Sequence, residues 1–272
     1  MLSPGRALKL NADSGRELPR VPALAALYNI GVKPRHGEVI MVAGRSGTQK
    51  SGFALWWTAQ MGLPTLYFSG DMSAFTASSR IASMQMGMST EVVERLLADH
   101  GDAAEEIIRQ ADMVNIQFAF GKIAWASVDA DIEAYIELHN RYPEVMVFDN
   151  LMDIEDAASD YTEQMEVMNS LTDLARATGA TVIVLHHASD KSWEAKSDPW
   201  SPPSRDQVKG GLSEKPELSL SVALNPQSHE YRVACIKQRM GPCDPTAQSY
   251  ARIRAIPDKT QFAQWGEPLG TI

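Results

Sequence analysis

Glu38-Val-Ile-Met-Val-Ala-Gly-Arg-Ser-Gly-Thr-Gln-Lys-Ser51 changes character twice within a few residues. Val39 to Ala43 is an unbroken apolar run, the pattern of a strand buried on both faces. The run breaks at Gly44, and Arg45, Ser46, Gly47, Thr48 and Gln49 follow as a loop. Lys50 and Ser51 then open a helical stretch that runs from about Gly52 to Met61. Strand, glycine loop and helix opening on Lys-Ser is an arrangement that cradles phosphates. Glycines let successive backbone N–H groups turn toward one anion, and the helix terminus adds partial positive charge. The lysine reaches β- and γ-phosphates, and the serine hydroxyl ligates Mg²⁺. The segment from Gly44 to Ser51 is therefore the candidate cofactor-binding loop. Gln49 departs from the pattern, because a glycine usually precedes the lysine and a side chain there narrows the allowed backbone angles. An ordinary strand–helix turn that carries Lys-Ser is the bland alternative.

Outward from this loop, apolar runs alternate with amphipathic stretches. Pro64–Ser69 reads as a second strand, 74–86 as a helix that Ser73 caps, and 89–98 and 101–111 as two more helices. Residues 114–118 alternate as a strand, 127–141 form a helix, and 145–148 form a strand ending at Asp149. Helix 160–178 carries Tyr161, Met165, Met168, Leu171 and Leu174 on one stripe, read as core, and Gly179 ends it. Residues 181–185 are a strand that delivers His186 and His187. Strands 218–224 and 231–236 form an antiparallel hairpin, and 248–256 and 260–265 are edge strands. Residues 1–20 are expected as a loose N-terminal arm and 21–272 as one core, with a short helix over 21–30. Alternating strands and helices imply an α/β fold with a mainly parallel sheet flanked by helices and antiparallel strands at the C-terminal end. Ligands in such sheets sit at the carboxyl ends of the strands. The phosphate loop, Asp71, Asp149 and the two histidines all fall there.

The 272-residue chain can bury a substantial core. No apolar run approaches the span of a bilayer, so no membrane partner is expected, and with only Cys235 and Cys243 a reduced cytoplasmic setting is the default. The net charge of −9 argues against a protein coated in nucleic-acid-binding charge, while leaving room for a local basic strip.

Asp149, at the end of a strand downstream of the phosphate loop, fits a Mg²⁺ ligand, direct or through water. Asp71 is a candidate general base or water-positioning group, with a helix-capping role as the alternative. His186 or His187 is placed to sense a γ-phosphate; spacing does not choose between them. Lys237 and Arg239, two apart on a strand, point the same way, and spacing alone reads them as a solvated strand end. Residues 188–206 are polar, proline-rich and aperiodic, which marks a functional loop. Lys191, Lys196, Arg205 and Lys209 interleave there with Trp193 and Trp200, a composition suited to single-stranded nucleic acid but diluted by Asp190, Glu194, Asp198 and Asp206. The acids Asp149, Asp153, Glu155, Asp156 and Asp160 suit divalent metal as in a nuclease, or a solvated turn and helix start.

Taken in order, Gly37–Ser51, Tyr67-Phe-Ser-Gly-Asp-Met72, Val145–Met152, Val182–His187 and Ile236–Pro242 resemble the motor domain of DnaB-type replicative helicases, within the RecA-like P-loop ATPases. The similarity covers about residues 21–265. It implies ATP and Mg²⁺ as cofactors, with Lys50 and Ser51 on the phosphates and metal and Asp149 ordering Mg²⁺. It places Asp71 where the family has its catalytic glutamate, and His186 at the polar sensor. It implies that Lys237 and Arg239 reach the γ-phosphate of a neighbouring subunit, in a ring of identical chains, expected as a hexamer. It further implies that the 188–215 segment faces single-stranded or branched DNA. A lone core also resembles RecA-like proteins of bacteriophages, hence an expected host-cytoplasm location. Gln49 and the shorter Asp71 put turnover in question. A metal-dependent DNA nuclease on this fold and a nucleotide-gated DNA-binding or assembly protein with little turnover stay open as alternatives.

Overall fold

The computed structural model describes residues 15–157, 161–189 and 198–266. Nine strands form one sheet: β1 (Val39–Gly44), β2 (Thr65–Ser69), β3 (Ile116–Phe120), β4 (Val145–Asp149), β5 (Thr181–His187), β6 (Leu218–Asn225), β7 (Glu230–Gln238), β8 (Tyr250–Ile256) and β9 (Gln261–Gln264). Their spatial order is β3-β2-β4-β5-β1-β6-β7-β8-β9. Pairings from β3 across to β6 are parallel, and those from β6 to β9 are antiparallel. The α-helices are α1 (Ala25–Asn29), α2 (Lys50–Met61), α3 (Ala74–Met86), α4 (Thr90–Ala98), α5 (Asp102–Asp112), α6 (Trp125–His139) and α7 (Tyr161–Thr178).

The unbroken apolar run of β1 has a simple cause: both of its faces are covered. Ile40 and Val42 point into one core with Phe53 and Trp57 of α2. Val39, Met41 and Ala43 point into the other, with Met168 and Leu171 of α7 and Val128 and Ile132 of α6. Successive strand residues alternate between the two, as the pleat requires. Helix α2 is buried on nearly every side, because Tyr231 of β7 and Phe262 of β9 close over it. Phe53 stacks on Tyr231 at 5.3 Å between ring centroids and meets Phe262 edge-on at 5.5 Å. Each fully buried aromatic of this set contributes about 1.5–3 kcal/mol.

The sequence expectations need adjustment in three places. The expected loose arm is bound at its described end: Gly15 N–H donates to His36 O, Leu18 N–H donates to Pro34 O, and Leu18 is buried in the core. Residues 1–14 of that arm lie outside the described residues. The third strand begins at Ile116 rather than Val114, and β5 continues through both histidines. Tyr161, expected on the core stripe of α7, is 55% exposed because it stands at the helix start. Ser73 does cap α3, its Oγ accepting from Thr76 N–H at 3.1 Å.

Gly44 fixes how the chain leaves β1. A Cβ on it would lie 2.7 Å from Thr48 Oγ1 and 2.9 Å from the Val222 carbonyl of β6. The Thr48 hydroxyl is itself committed to Arg45 O at 2.8 Å, so the loop turns directly over the glycine. Gly44→Ala is expected to lower stability by about 1–3 kcal/mol, read as a fall in thermal midpoint against wild type.

Candidate functional site

The carboxyl ends of β1, β2, β4 and β5 converge on a cleft of about 220 Å³. Its floor is the loop from Ser46 to Ser51, and Asp71, Arg80, Asp149, Asn150 and His187 form its walls. A larger cavity of about 590 Å³ lies between the 204–214 segment and Pro245–Thr246, and none of the phosphate-type residues reaches it.

Lys50 is the first residue of α2 and is buried beneath the loop. Its ammonium donates to Gly44 O at 3.0 Å and Arg45 O at 2.9 Å, which holds the charge against the loop's inner wall. Gln49 caps the helix in the left-handed conformation, with φ 58° and ψ 32°. That is a conformation a glycine would adopt freely, and the glutamine amide folds back toward Gly52, where a Cβ would lie 3.0 Å from Gln49 Oε1. Above Gly47 there is open space within 4 Å of where a Cβ would stand.

Ser51 Oγ donates to Asp149 Oδ1 at 3.0 Å, and the Tyr67 hydroxyl donates to Asp149 Oδ2 at 2.8 Å. Burial raises the Asp149 carboxyl above its ordinary value, against the hydrogen bonds from Tyr67 and Ser51. A hydroxyl and a carboxylate oxygen this close form the hard donor pair that Mg²⁺ takes from protein, the remaining positions going to water and phosphate. The residues therefore fit the ion. Asp71 stands at the cleft mouth, exposed, with Oδ2 3.4 Å from the Asn150 amide. Gly70 just before it admits no side chain, since a Cβ would lie 2.4 Å from Asp153 Cβ.

The two histidines part company because adjacent strand residues face opposite sides. His187 lines the cleft. His186, the expected sensor, is fully buried, with Nε2 3.0 Å from the Lys209 carbonyl. Burial pushes its imidazole down to about 4, and its Nδ1 has no hydrogen-bond partner among the described residues. The cleft position thus belongs to His187 and not to His186. Arg80 was not anticipated. It lies on α3 with a guanidinium nitrogen 3.2 Å from Met72 Sδ and the cleft beside it. One signal was available: Arg80 is the only charged residue between Asp71 and Glu91.

Lys237 and Arg239 are far from this cleft within their own chain. Gln238 pairs with Leu218, and Leu218 pairs with Ile40, so the end of β7 lies beside the start of β1. The phosphate loop is at the other end of β1, roughly 17 Å along the strand. Arg239 pairs with Glu217 at 3.2 Å, and the Lys237 ammonium is bonded to the Glu214 and Pro216 carbonyls. The acids after Asp149 serve the turn: Asp153 Oδ2 accepts from Asn150 N–H at 3.1 Å, and Glu155 pairs with Lys122 at 3.9 Å. Asp160 lies outside the described residues. Among the described residues, no three His, Cys, Asp or Glu side chains gather to hold a metal. Lys191, Trp193 and Lys196 lie outside the described residues, while Arg205 pairs with Glu214 at 3.2 Å and Lys209 is exposed.

A family model described as an AAA domain matches residues 6–192. The chain is 28% identical over 276 residues to the Gene 65 protein of Mycobacterium phage L5, covering 98% of this chain and all of that one. Among solved structures it superposes on a helicase-sized ATPase domain with a TM-score of 0.74 and 16% identity, over 95% of both chains. It also superposes on a DnaB-like replicative helicase with a TM-score of 0.75 and 15% identity, covering 91% of this chain and 62% of that one. The fold is that of a RecA-like helicase ATPase domain.

Two outcomes test the local geometry. Gln49→Gly relieves a left-handed glutamine and is expected to raise stability by about 1 kcal/mol in thermal or denaturant unfolding. His186 stays neutral in the folded chain down to about pH 4, whereas an unfolded histidine protonates near pH 6.5. Stability from this residue is therefore present above about pH 6.5 and lost as pH falls toward 4, on the order of 3 kcal/mol. His186→Gln is expected to flatten that part of the stability-against-pH curve.

Proposed function

The chain belongs to the AAA domain family, and from that premise we propose a RecA-like ATPase that binds ATP between neighbouring subunits of a ring and acts on DNA. In this reading the loop N–H groups and Lys50 bind the phosphates, the lysine exchanging the Gly44 and Arg45 carbonyls for phosphate oxygens. Ser51 and Asp149 hold Mg²⁺, which would supply charge neutralisation between the outer phosphates. Asp71 orients the attacking water at the cleft mouth, with Asn150 steering its carboxylate. Arg80 supplies positive charge from the same chain, and His187 reports on the terminal phosphate by hydrogen bonding.

The observation that carries the shared-site part is the placement of Arg239 and Lys237 at the opposite end of the sheet from their own phosphate loop. A cationic pair there serves a phosphate only if that phosphate belongs to another copy of the chain. A ring of such copies, six in the expected hexamer, gives every cleft a donor. The described part of the 188–215 segment, with Arg205 and Lys209, would face single-stranded or branched DNA. The mycobacteriophage relative makes a bacteriophage source, and work in a host cytoplasm, a natural setting. One observation favours a second reading of slow turnover, in which nucleotide gates assembly: the Gln49 side chain occupies the first turn of α2 where the family pattern has none. A nuclease gains nothing from Asp153 and Glu155, which are committed to the turn and to Lys122.

Phosphate release from ATP tests the shared site. Lys50→Ala and Arg239→Ala are each expected to reduce release by at least about 10²-fold, yet an equal mixture regains up to about a quarter of wild-type rate, because intact halves meet at some interfaces. Normal hydrolysis by Arg239→Ala alone would sink the reading. Tight ATP retention with negligible release by wild type, with or without an oligonucleotide, would favour the slow-turnover reading.

A further inference from the structure

We propose that Arg45 is a positioning residue that couples the phosphate loop to the 198–208 segment. The proposal rests on the nucleotide-binding part of the reading above, and not on DNA.

The first two loop residues are attached to both flanks of this segment's stem. Gly44 O accepts from Ala188 N–H at 3.0 Å. Ala188 pairs in an antiparallel bridge with Val208, and Ser189 N–H donates to Gln207 O at 2.8 Å. On the other flank, the Arg45 guanidinium donates to Ser201 O at 2.9 Å. Ser201 belongs to a tight turn in which Ser201 N–H donates to Asp198 O at 2.9 Å and Trp200 N–H to Asp198 Oδ1 at 3.0 Å.

That turn is clamped from the sheet side as well. Arg232 of β7 is nearly buried, held by Glu230 at 3.1 Å, and donates to the Asp198 carboxylate and to Trp200 O. Ser221 of β6 donates to Pro203 O at 2.5 Å. With one side fixed to the sheet, the adjustable attachment is the one to the loop. Arg45 is suited to transmit a change, since its carbonyl accepts from Lys50 while its guanidinium holds Ser201. A phosphate that draws the Lys50 ammonium away removes a donor from the Gly44 and Arg45 carbonyls together. The 44–45 peptide units are then free to reorient, and the Arg45 side chain carries the shift to Ser201. Arg45 itself does not line the cleft, which fits a guanidinium directed away from the nucleotide.

Hydrogen–deuterium exchange on the full chain tests this, with and without saturating Mg²⁺ and a non-hydrolysable ATP analogue. In wild type, exchange across 198–208 is expected to change at least about threefold on nucleotide binding. In Arg45→Ala, with nucleotide retention checked by equilibrium dialysis, the change is expected to fall below about half of that, and Arg45→Lys to restore part of it. A wild-type protein that binds the analogue with no change at 198–208, or an Arg45→Ala protein with the full change, overturns the coupling while leaving nucleotide binding intact. No binding of the analogue by wild type overturns the nucleotide reading and this proposal with it. Should Arg45→Ala lose nucleotide, Asp198→Ala leaves the phosphate loop unaltered and loosens the same turn. Linkage is reciprocal, so it is expected to shift analogue affinity at least about threefold. Unchanged affinity with a loosened turn overturns the proposal.

Discussion

The approach of the Gly44 backbone to the Val222 carbonyl and the Thr48 hydroxyl is the constraint on which the site is built. β1 lies between two parallel neighbours and under two helical layers, so its path is set by the sheet. At its carboxyl end the chain must turn out of the sheet in the space of a hydrogen bond. Only a residue without a side chain passes there. The loop that results wraps its carbonyls inward around Lys50 and starts α2 beneath them. The depth at which α2 is buried, through Phe53, Trp57 and Phe262, holds that start in register with Asp149 on β4.

The same geometry divides the molecule's polar groups by sheet end. Carboxylates, hydroxyls and one arginine gather where the parallel strands finish. Lys237 and Arg239 stand where those strands begin, engaged with Glu217 and two carbonyls. Because β7 runs antiparallel to β6, a residue at its end is carried back to the amino side of the sheet. The division follows from strand direction alone and does not depend on the detail of any side chain.

Much of this was legible beforehand. The order of strands and helices followed from apolar runs and their periods, and the helix 74–86 from a serine cap and a glycine stop. The phosphate loop, Asp71 and Asp149 were legible because each ends an apolar strand run. The histidine was not: two adjacent candidates on one strand face opposite ways, and which way is set by pairing with β1 and β4 rather than by local sequence. Arg80 escaped because a helix brings it to the cleft from a segment with no motif of its own. The binding of residues 15–18 to 34–36 escaped as well, since a polar, glycine-bearing stretch gives no period to read, and the pairing is set by a partner farther along the chain.

Helix α2 carries Trp56 and Trp57 side by side, both buried, six and seven residues beyond Lys50. At the rise of an α-helix that is roughly 10 Å from the lysine. Their indoles sit against Phe53 and Phe262, in a dry, aromatic surrounding sensitive to small displacements. Whatever moves the start of α2 also moves these rings. The protein thereby contains its own optical reporter, and its intrinsic fluorescence follows the state of the phosphate loop without any attached label.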